Sequence, residues 1–200
     1  MSEADAAAPT SAPDTRPGLF KAIALAGDTI AAITPGELEA PTPCPDYNVR
    51  QMVRHMIAVL RRVPVAASGG NPFSLPSSAD DVPDSDWQKA WEEASSAATA
   101  EWSAPDMLGK TCNLGFTTLP GVAAAVAYTT ELTLHTWDLG QATGRTPAWD
   151  PAVLAPSIGA MRHAVPPEPR GGMVPFGPVV EVAADAPPID QLAAWYGRKP

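Results

Sequence analysis

The chain has 200 residues, of which 45% are hydrophobic, and a formal net charge of −9 at pH 7. This length and apolar content suit one domain with a core of ordinary size. The acidic excess argues against nucleic acid as a partner, because contacts with phosphate need a surplus of Lys and Arg.

The first 16 residues are rich in Ala, Pro, Ser and Asp and have no apolar period. They predict a disordered tail over residues 1–16, without the basic and apolar regions of a secretory signal. No segment reaches the ~18 consecutive apolar residues of a membrane span. We therefore expect a cytoplasmic protein with no membrane partner, in which Cys44 and Cys112 are reduced, buried thiols.

Two helices are predicted in the first third of the chain. The first begins near Gly18 and ends before Pro35. The second begins after Asn48, with Gln51 in capping-box register, and Pro64 should end or bend it. Its four arginines are interpreted as a solvated face: Arg50, Arg54, Arg61 and Arg62.

A long loop follows over residues 68–86, and a loop of this length is a candidate for controlling access to a site. The third helix begins near Ser85 or Asp86, and its tryptophans are predicted core residues: Trp87, Trp91 and Trp102. The segment KTCNLGFTTLPG predicts an extended stretch or a short hairpin.

A fourth helix of about 23 residues is expected between Pro120, in its first turn, and Gly144. Long helices with long connections predict an all-α fold of the bundle type. The remainder predicts a helix over residues 151–162, a Pro/Gly-rich return and a short helix IDQLAAWYG. We expect a bundle over residues 17–146 and a small C-terminal extension over 147–200 that packs on it.

The fourth helix carries two side chains that can bind metal in an otherwise apolar stretch. Glu131 and His135 lie four residues apart, so they share one face of the helix, with Cβ atoms about 5–6 Å apart. A third ligand has to come from another helix. His55, one of three histidines, lies mid-helix beside an apolar stripe, whereas His163 lies in a polar, Pro-rich segment. If the chain has a metal site, the spacing assigns it to His55, Glu131 and His135.

Two histidines and one carboxylate with open positions are typical of catalytic zinc sites. Zn²⁺ is the expected cofactor, although the same donors suit Fe²⁺, Ni²⁺ or Mn²⁺. Asp138 is expected to hold an imidazole N–H or to cap a neighbouring backbone group, rather than to bind the ion. The alternative is a Glu–His pair on a solvated helix face, with His55 as a hydrogen-bonded core residue, and spacing alone leaves both open.

Three segments resemble a known family. PTPCPDYNVRQMVRHM, residues 41–56, resembles the entry to the second helix in DinB-like proteins, and most of all the metal-binding domain of mycothiol-dependent maleylpyruvate isomerase. ELTLHTWDLGQATGR, residues 131–145, resembles that family's second motif. The segment 176–200 resembles small actinobacterial-type relatives that are described only as metal-binding proteins. Two departures are Tyr47, where relatives often have Trp, and the absence of room for the isomerase's further domain after Gly144.

The resemblance implies an up-down four-helix bundle that binds a divalent metal, often zinc, between helices, with ligands at His55, Glu131 and His135. It also implies a low-molecular-weight thiol such as mycothiol as one partner and a small electrophilic substrate as the other. We therefore expect a thiol-dependent transferase or isomerase. The alternatives are a non-catalytic metal-binding or sensor protein and a metal-dependent hydrolase. A homodimer is the oligomer that base rates favour.

Overall fold

The computed structural model describes residues 13–172, 174 and 176–200. The predicted tail over residues 1–16 lies mostly outside the described residues. The described chain is mostly helical, with α1 (Arg16–Ala31), α2 (Val49–Ala67), α3 (Trp87–Trp102), α4 (Gly121–Thr143), α5 (Pro151–Ala164) and α6 (Pro188–Trp195). Two short strands, β1 (Thr111–Asn113) and β2 (Thr118–Pro120), form an antiparallel hairpin. The mostly helical fold with a short hairpin is therefore confirmed.

The first four helices pack on one another around the main core. α1 packs against α3 and α4, and α2 packs against the same two helices. Leu19, Leu60, Trp102 and Leu132 are fully buried between them, and Trp87 and Trp91 are also buried, as predicted. Burying each large apolar side chain contributes roughly 1.5–3 kcal/mol. The up-down order of these helices stays a prediction.

The helix ends differ in two places from the expectation. α2 begins with the predicted capping box, in which Asn48 Oδ1 accepts from the Gln51 amide and Gln51 Oε1 accepts from the Asn48 amide, each at 2.9 Å. It does not end at Pro64 but continues to Ala67, because the residues that follow the proline are buried in the core. α4 begins one residue after Pro120, which pairs with Thr111 in the hairpin instead.

The segment over residues 68–86 is fastened to α2 by ion pairs. Arg50 Nε lies 2.9 Å from Asp84, Arg54 lies 3.3 Å from the same carboxylate, and Arg61 lies 2.9 Å from Asp81. These three arginines are thus partly exposed and also paired with carboxylates of the loop, which the interpretation as a solvated face did not include. Their acidic partners lie 20–34 residues away in sequence, on the loop itself.

Backbone contacts join the same segment to α2. Arg62 donates to the carbonyl of Leu75 at 2.7 Å, and the amide of Ala79 donates to the carbonyl of Arg54 at 3.1 Å. Ala79 is buried against the core. These contacts hold residue 77, which lies between them, beside the middle of α2.

α5 and α6 pack on each other and on α4. They build a second apolar cluster that includes Leu134, Trp137, Met161 and Leu192. One face of α4 packs toward α1–α3 and another toward α5 and α6. Burial on both faces explains why the sequence of this helix is apolar. The domain boundaries at residues 16 and 146 stay predictions. Among the described helices, none is both long and apolar enough to cross a bilayer.

Candidate metal centre

Two helices distant in sequence bring three donor side chains together. His55 comes from the middle of α2, and Glu131 and His135 come from successive turns of α4. One donor atom from each lies within 4.8 Å of the others. Glu131 Oε1 is 3.4 Å from His55 Nε2 and 3.3 Å from His135 Nε2. The three predicted residues therefore come together at one point in the structure.

The local sequence of α4 allows polar side chains in a buried helix. Several threonine hydroxyls in this stretch donate to the carbonyl four residues earlier, as Thr136 does to Leu132 at 2.7 Å and Thr129 to Ala125 at 2.7 Å. The buried hydroxyl of Thr133 has no such partner among the described residues. The bonds of Thr129 and Thr136 satisfy their hydroxyls without partners from other helices. Glu131 and His135 are therefore left as the polar side chains of this face that need each other or an ion.

Hydrogen bonds on the outer nitrogens fix which imidazole atom faces the centre. His135 Nδ1 lies 3.0 Å from Asp138 Oδ2, and His55 Nδ1 lies 3.3 Å from the carbonyl oxygen of Ser77. A carboxylate and a carbonyl can only accept, so both Nδ1 atoms carry hydrogen. Both Nε2 atoms then face Glu131, where each can donate a hydrogen if the ring is protonated or offer a lone pair to a cation. Asp138 thus occupies the position expected of it beside an imidazole N–H.

Tyr47 supports His55 from the side away from the centre. The two rings stack with centroids 4.9 Å apart and planes at 20°, and the Tyr47 hydroxyl is 3.4 Å from His55 Nδ1. The His55 and His135 rings meet edge to face at 5.1 Å. The rings of Tyr47 and His135 therefore both contact the imidazole of His55, and these contacts limit the rotamers that His55 can adopt.

Burial is uneven across the site. The side chains of His135 and His55 are 8% and 14% exposed, while that of Glu131 is 36% exposed. Asp138 is completely buried. Glu131 is therefore the donor side chain that has most contact with solvent.

The charges of these groups shift one another's ionisation. Burial works against the charge on Glu131, but the charge of His135 and hydrogen bonds from both histidines outweigh it and hold the pKa of Glu131 well below its ordinary value. Burial would lower the pKa of His135, but the Glu131 carboxylate and the bond to Asp138 raise that pKa to about 9. In the metal-free protein a proton and a cation therefore compete for the same Nε2 atom.

The donor set fits a divalent cation. Two imidazole nitrogens and one carboxylate oxygen are ligands that zinc and neighbouring divalent metals accept, and three ligands leave coordination positions open. The cluster could therefore hold a divalent metal. Its ligand chemistry does not select one metal among Zn²⁺, Fe²⁺, Ni²⁺ and Mn²⁺.

Sequence reasoning missed two contributors to the site. Ser77 contributes only its backbone carbonyl, so no side-chain pattern could have revealed it. Arg198 donates to Asp138 Oδ2 at 3.1 Å and to Oδ1 at 3.3 Å and is itself buried. The signal that could have found it is the need of any buried carboxylate for a cationic partner.

Both cysteines are free and buried, as expected. Burial raises the pKa of the Cys44 thiol, and the nearby charge of Arg198 only partly opposes this. Cys44 thus lies in the main core without the lowered pKa that marks an activated thiol.

Comparison with known proteins places this chain in a family. The chain is 29% identical over 169 residues to an uncharacterized protein of Mycobacterium tuberculosis, found in the strains CDC 1551 / Oshkosh and H37Rv, and the match covers 84% of this chain and 89% of each relative. No solved structure matches the chain. The model of the mycothiol maleylpyruvate isomerase N-terminal domain matches residues 19–140, which include all three donor residues and Asp138. Since that match spans more than half of the chain, this protein belongs to the mycothiol maleylpyruvate isomerase N-terminal domain family.

Proposed function

We propose that this protein binds a divalent metal through His55, Glu131 and His135 and uses the centre to activate a low-molecular-weight thiol. We propose Zn²⁺ as the metal because the family that the sequence resembles often binds zinc. The reaction class is thiol transfer to, or thiol-assisted isomerisation of, a small electrophilic substrate. The observation that carries the proposal is the convergence of three donor atoms within 4.8 Å from two helices, with both outer imidazole nitrogens already occupied.

Each group at the centre has a separate role in the proposed reaction. A divalent cation held there would stabilise the deprotonated form of a bound thiol at neutral pH. Asp138 and the Ser77 carbonyl keep the Nδ1 hydrogens of His135 and His55 in place, so that both Nε2 atoms stay available. The exposed side of Glu131 gives the thiol and its acceptor a route to the centre.

Family membership supports the thiol part of the proposal, because the matching domain is described as mycothiol-related. The rest of the proposed picture is an up-down four-helix bundle in the cytoplasm, with a homodimer as the expected oligomer. Contacts of α1 and α2 with both α3 and α4 support the bundle. The metal ligands, at the level of individual residues, are proposed on the geometry given above.

The first experiment tests metal binding. Protein purified without a tag or added metal is analysed for metal content, and the metal-free form is titrated with Zn²⁺. We expect one equivalent to bind, and His55→Ala to lose most of the affinity. His163→Ala is the matched control, since His163 is the exposed third histidine on α5 and lies away from the centre. Equal affinity in the two variants would refute the site.

The second experiment separates the enzyme from its alternatives. Metal-loaded protein is incubated with a thiol and an electrophilic acceptor, and thioether or isomer formation is followed. Turnover that vanishes in His55→Ala and persists in His163→Ala supports the transferase or isomerase. Turnover of an ester or amide without added thiol would instead identify a hydrolase, and metal binding without turnover of any acceptor would identify a binding or sensor protein.

A further inference from the structure

The chain turns back after α6 toward α4, and glycine makes this turn possible. Gly197 has a φ of +83°, and a Cβ atom there would lie 2.8 Å from Cα of Gly177. Only glycine tolerates both the left-handed backbone and this close approach. The amide of Arg198 then donates to the carbonyl of Ala193 at 3.0 Å, which fixes the start of its side chain.

The side chain of Arg198 ends on Asp138 in a two-pronged contact. Nη2 and Nε lie 3.1 and 3.3 Å from the two carboxylate oxygens, and Nη1 donates to the carbonyl of Tyr196 at 3.1 Å. The Arg198 side chain is 8% exposed and that of Asp138 is 0% exposed. A buried carboxylate without this partner would be strongly unfavourable. His135, Asp138 and Arg198 therefore form one continuous hydrogen-bonded chain from the centre to the segment after α6.

The charges of these three side chains and of Glu131 determine the net charge of the centre. With neutral imidazoles, the carboxylates of Glu131 and Asp138 contribute −2 and Arg198 contributes +1, which leaves −1. A divalent cation brings the assembly to +1. Without Arg198 the loaded centre would be neutral, and the charge of Asp138 would oppose an incoming anion.

We propose that Arg198 is a positioning residue that sets the ligand preference of the metal centre. By compensating Asp138, it leaves the loaded centre with a net positive charge, which favours an anionic ligand such as a thiolate over a neutral one. The inference rests on the proposed metal site and adds to it the charge class of the ligand. It also gives the segment after α6 a role in the site, although that segment lies beyond the region matched by the family.

The test compares an anionic and a neutral probe on Co²⁺-loaded protein, using the visible absorption of the ion. Azide is the anion and imidazole the neutral ligand. In Arg198→Gln we expect azide to bind about tenfold more weakly, the order of magnitude for removing one unit charge near a partly buried ion. Imidazole binding should change by less than about twofold. Arg198→Lys keeps the charge and should keep most of the azide affinity.

Lys199 provides the matched control. It carries the same charge on the next residue but is exposed. Lys199→Gln changes the formal net charge of the chain equally, so its azide affinity should equal that of the wild type. A loss of affinity as large as in Arg198→Gln would overturn the proposal, because it would show an effect of overall charge.

Substitution of Asp138 separates charge compensation from direct contact. Asp138→Asn keeps an oxygen that can accept from His135 Nδ1 but removes the negative charge, so azide should bind more tightly than to the wild type. The double variant Asp138→Asn/Arg198→Gln restores the balance of the wild type and should recover its azide affinity. If the double variant binds azide as weakly as Arg198→Gln, then Arg198 contacts the ligand itself and the proposal is overturned.

The azide measurements also distinguish charge compensation from a loss of folding and from the absence of a metal site. A generally loosened site cannot weaken azide in Arg198→Gln and strengthen it in Asp138→Asn, so opposite signs support charge compensation. Wild-type protein that takes up no Co²⁺ would refute the proposed metal site and this inference with it. Wild-type protein that takes up Co²⁺ and binds azide as Arg198→Gln does would refute this inference alone.

Discussion

Protons and metal should compete directly at His135. In the metal-free protein the carboxylates of Glu131 and Asp138 raise the pKa of His135 to about 9. At pH 7 the nitrogen that faces the centre is therefore protonated in all but roughly 1 in 100 molecules. Lowering the pH therefore adds a proton to this nitrogen without any substitution in the protein.

The size of the effect follows from this pKa. Each pH unit below about 9 should weaken apparent metal affinity about tenfold, because one proton has to leave for each ion bound. Between pH 6.0 and 7.5 we expect the affinity for Zn²⁺ to rise about 30-fold. At pH 7 the displaced proton costs the binding free energy roughly 2.7 kcal/mol.

Calorimetric titration of metal-free protein with Zn²⁺ measures both quantities. Repeating it in buffers with different heats of ionisation gives the number of protons released, which we expect to be close to one at pH 7. Asp138→Asn should lower the pKa of His135 and therefore flatten the pH dependence, while His163→Ala should leave it unchanged. Affinity that is constant across this range, with no proton released, would refute the assignment of His135 as a ligand.

Three further predictions concern stability. The ion pairs of His135 stabilise the metal-free protein fully below pH 6.5, the ordinary pKa of histidine, and this stabilisation is lost as the pH rises through about 9. The free energy of unfolding, measured by urea denaturation, should therefore fall by up to about 3 kcal/mol toward pH 10. A profile that does not change with pH would contradict this. Leu19→Ala removes a fully buried side chain of α1, a helix that carries none of the three donor residues. It should lower the free energy of unfolding by about 2–5 kcal/mol in the same assay while leaving the metal affinity of folded protein intact. Asp84→Asn removes one carboxylate partner of Arg50 and of Arg54, which keep Glu39 and Asp80, so it should lower the free energy of unfolding by only about 0.5–1 kcal/mol because these groups are partly exposed. It should also speed proteolysis within residues 68–86. An unchanged cleavage rate would count against the ion pairs as anchors.

Sequence reasoning succeeded where the signal was local. Glu131, His135 and Asp138 lie on one helix, so their relative positions follow from helix geometry. His55 lies 76 residues from Glu131, and it could be assigned only because the chain offers few histidines and because its motif resembles a known family.

Sequence reasoning failed where partners are distant and of common types. Arg198 lies 60 residues from Asp138, and nothing in the composition distinguishes it from the other arginines. Arg50 and Arg61 have the spacing of a solvated helix face, and only folding of the acidic loop supplies their partners. Pro64 stays within a helix because burial of the following residues outweighs the lost hydrogen bond.

The partner of His55 Nδ1 is a main-chain atom, and this makes the site insensitive to one kind of change and vulnerable to another. Exchanging the side chain at position 77 leaves the carbonyl where it is, so natural variants could differ there freely. A single-residue insertion or deletion between positions 68 and 86 would shift the carbonyl along the helix and release the imidazole. Conservation of length, rather than of residue type, is therefore what relatives should display in that stretch.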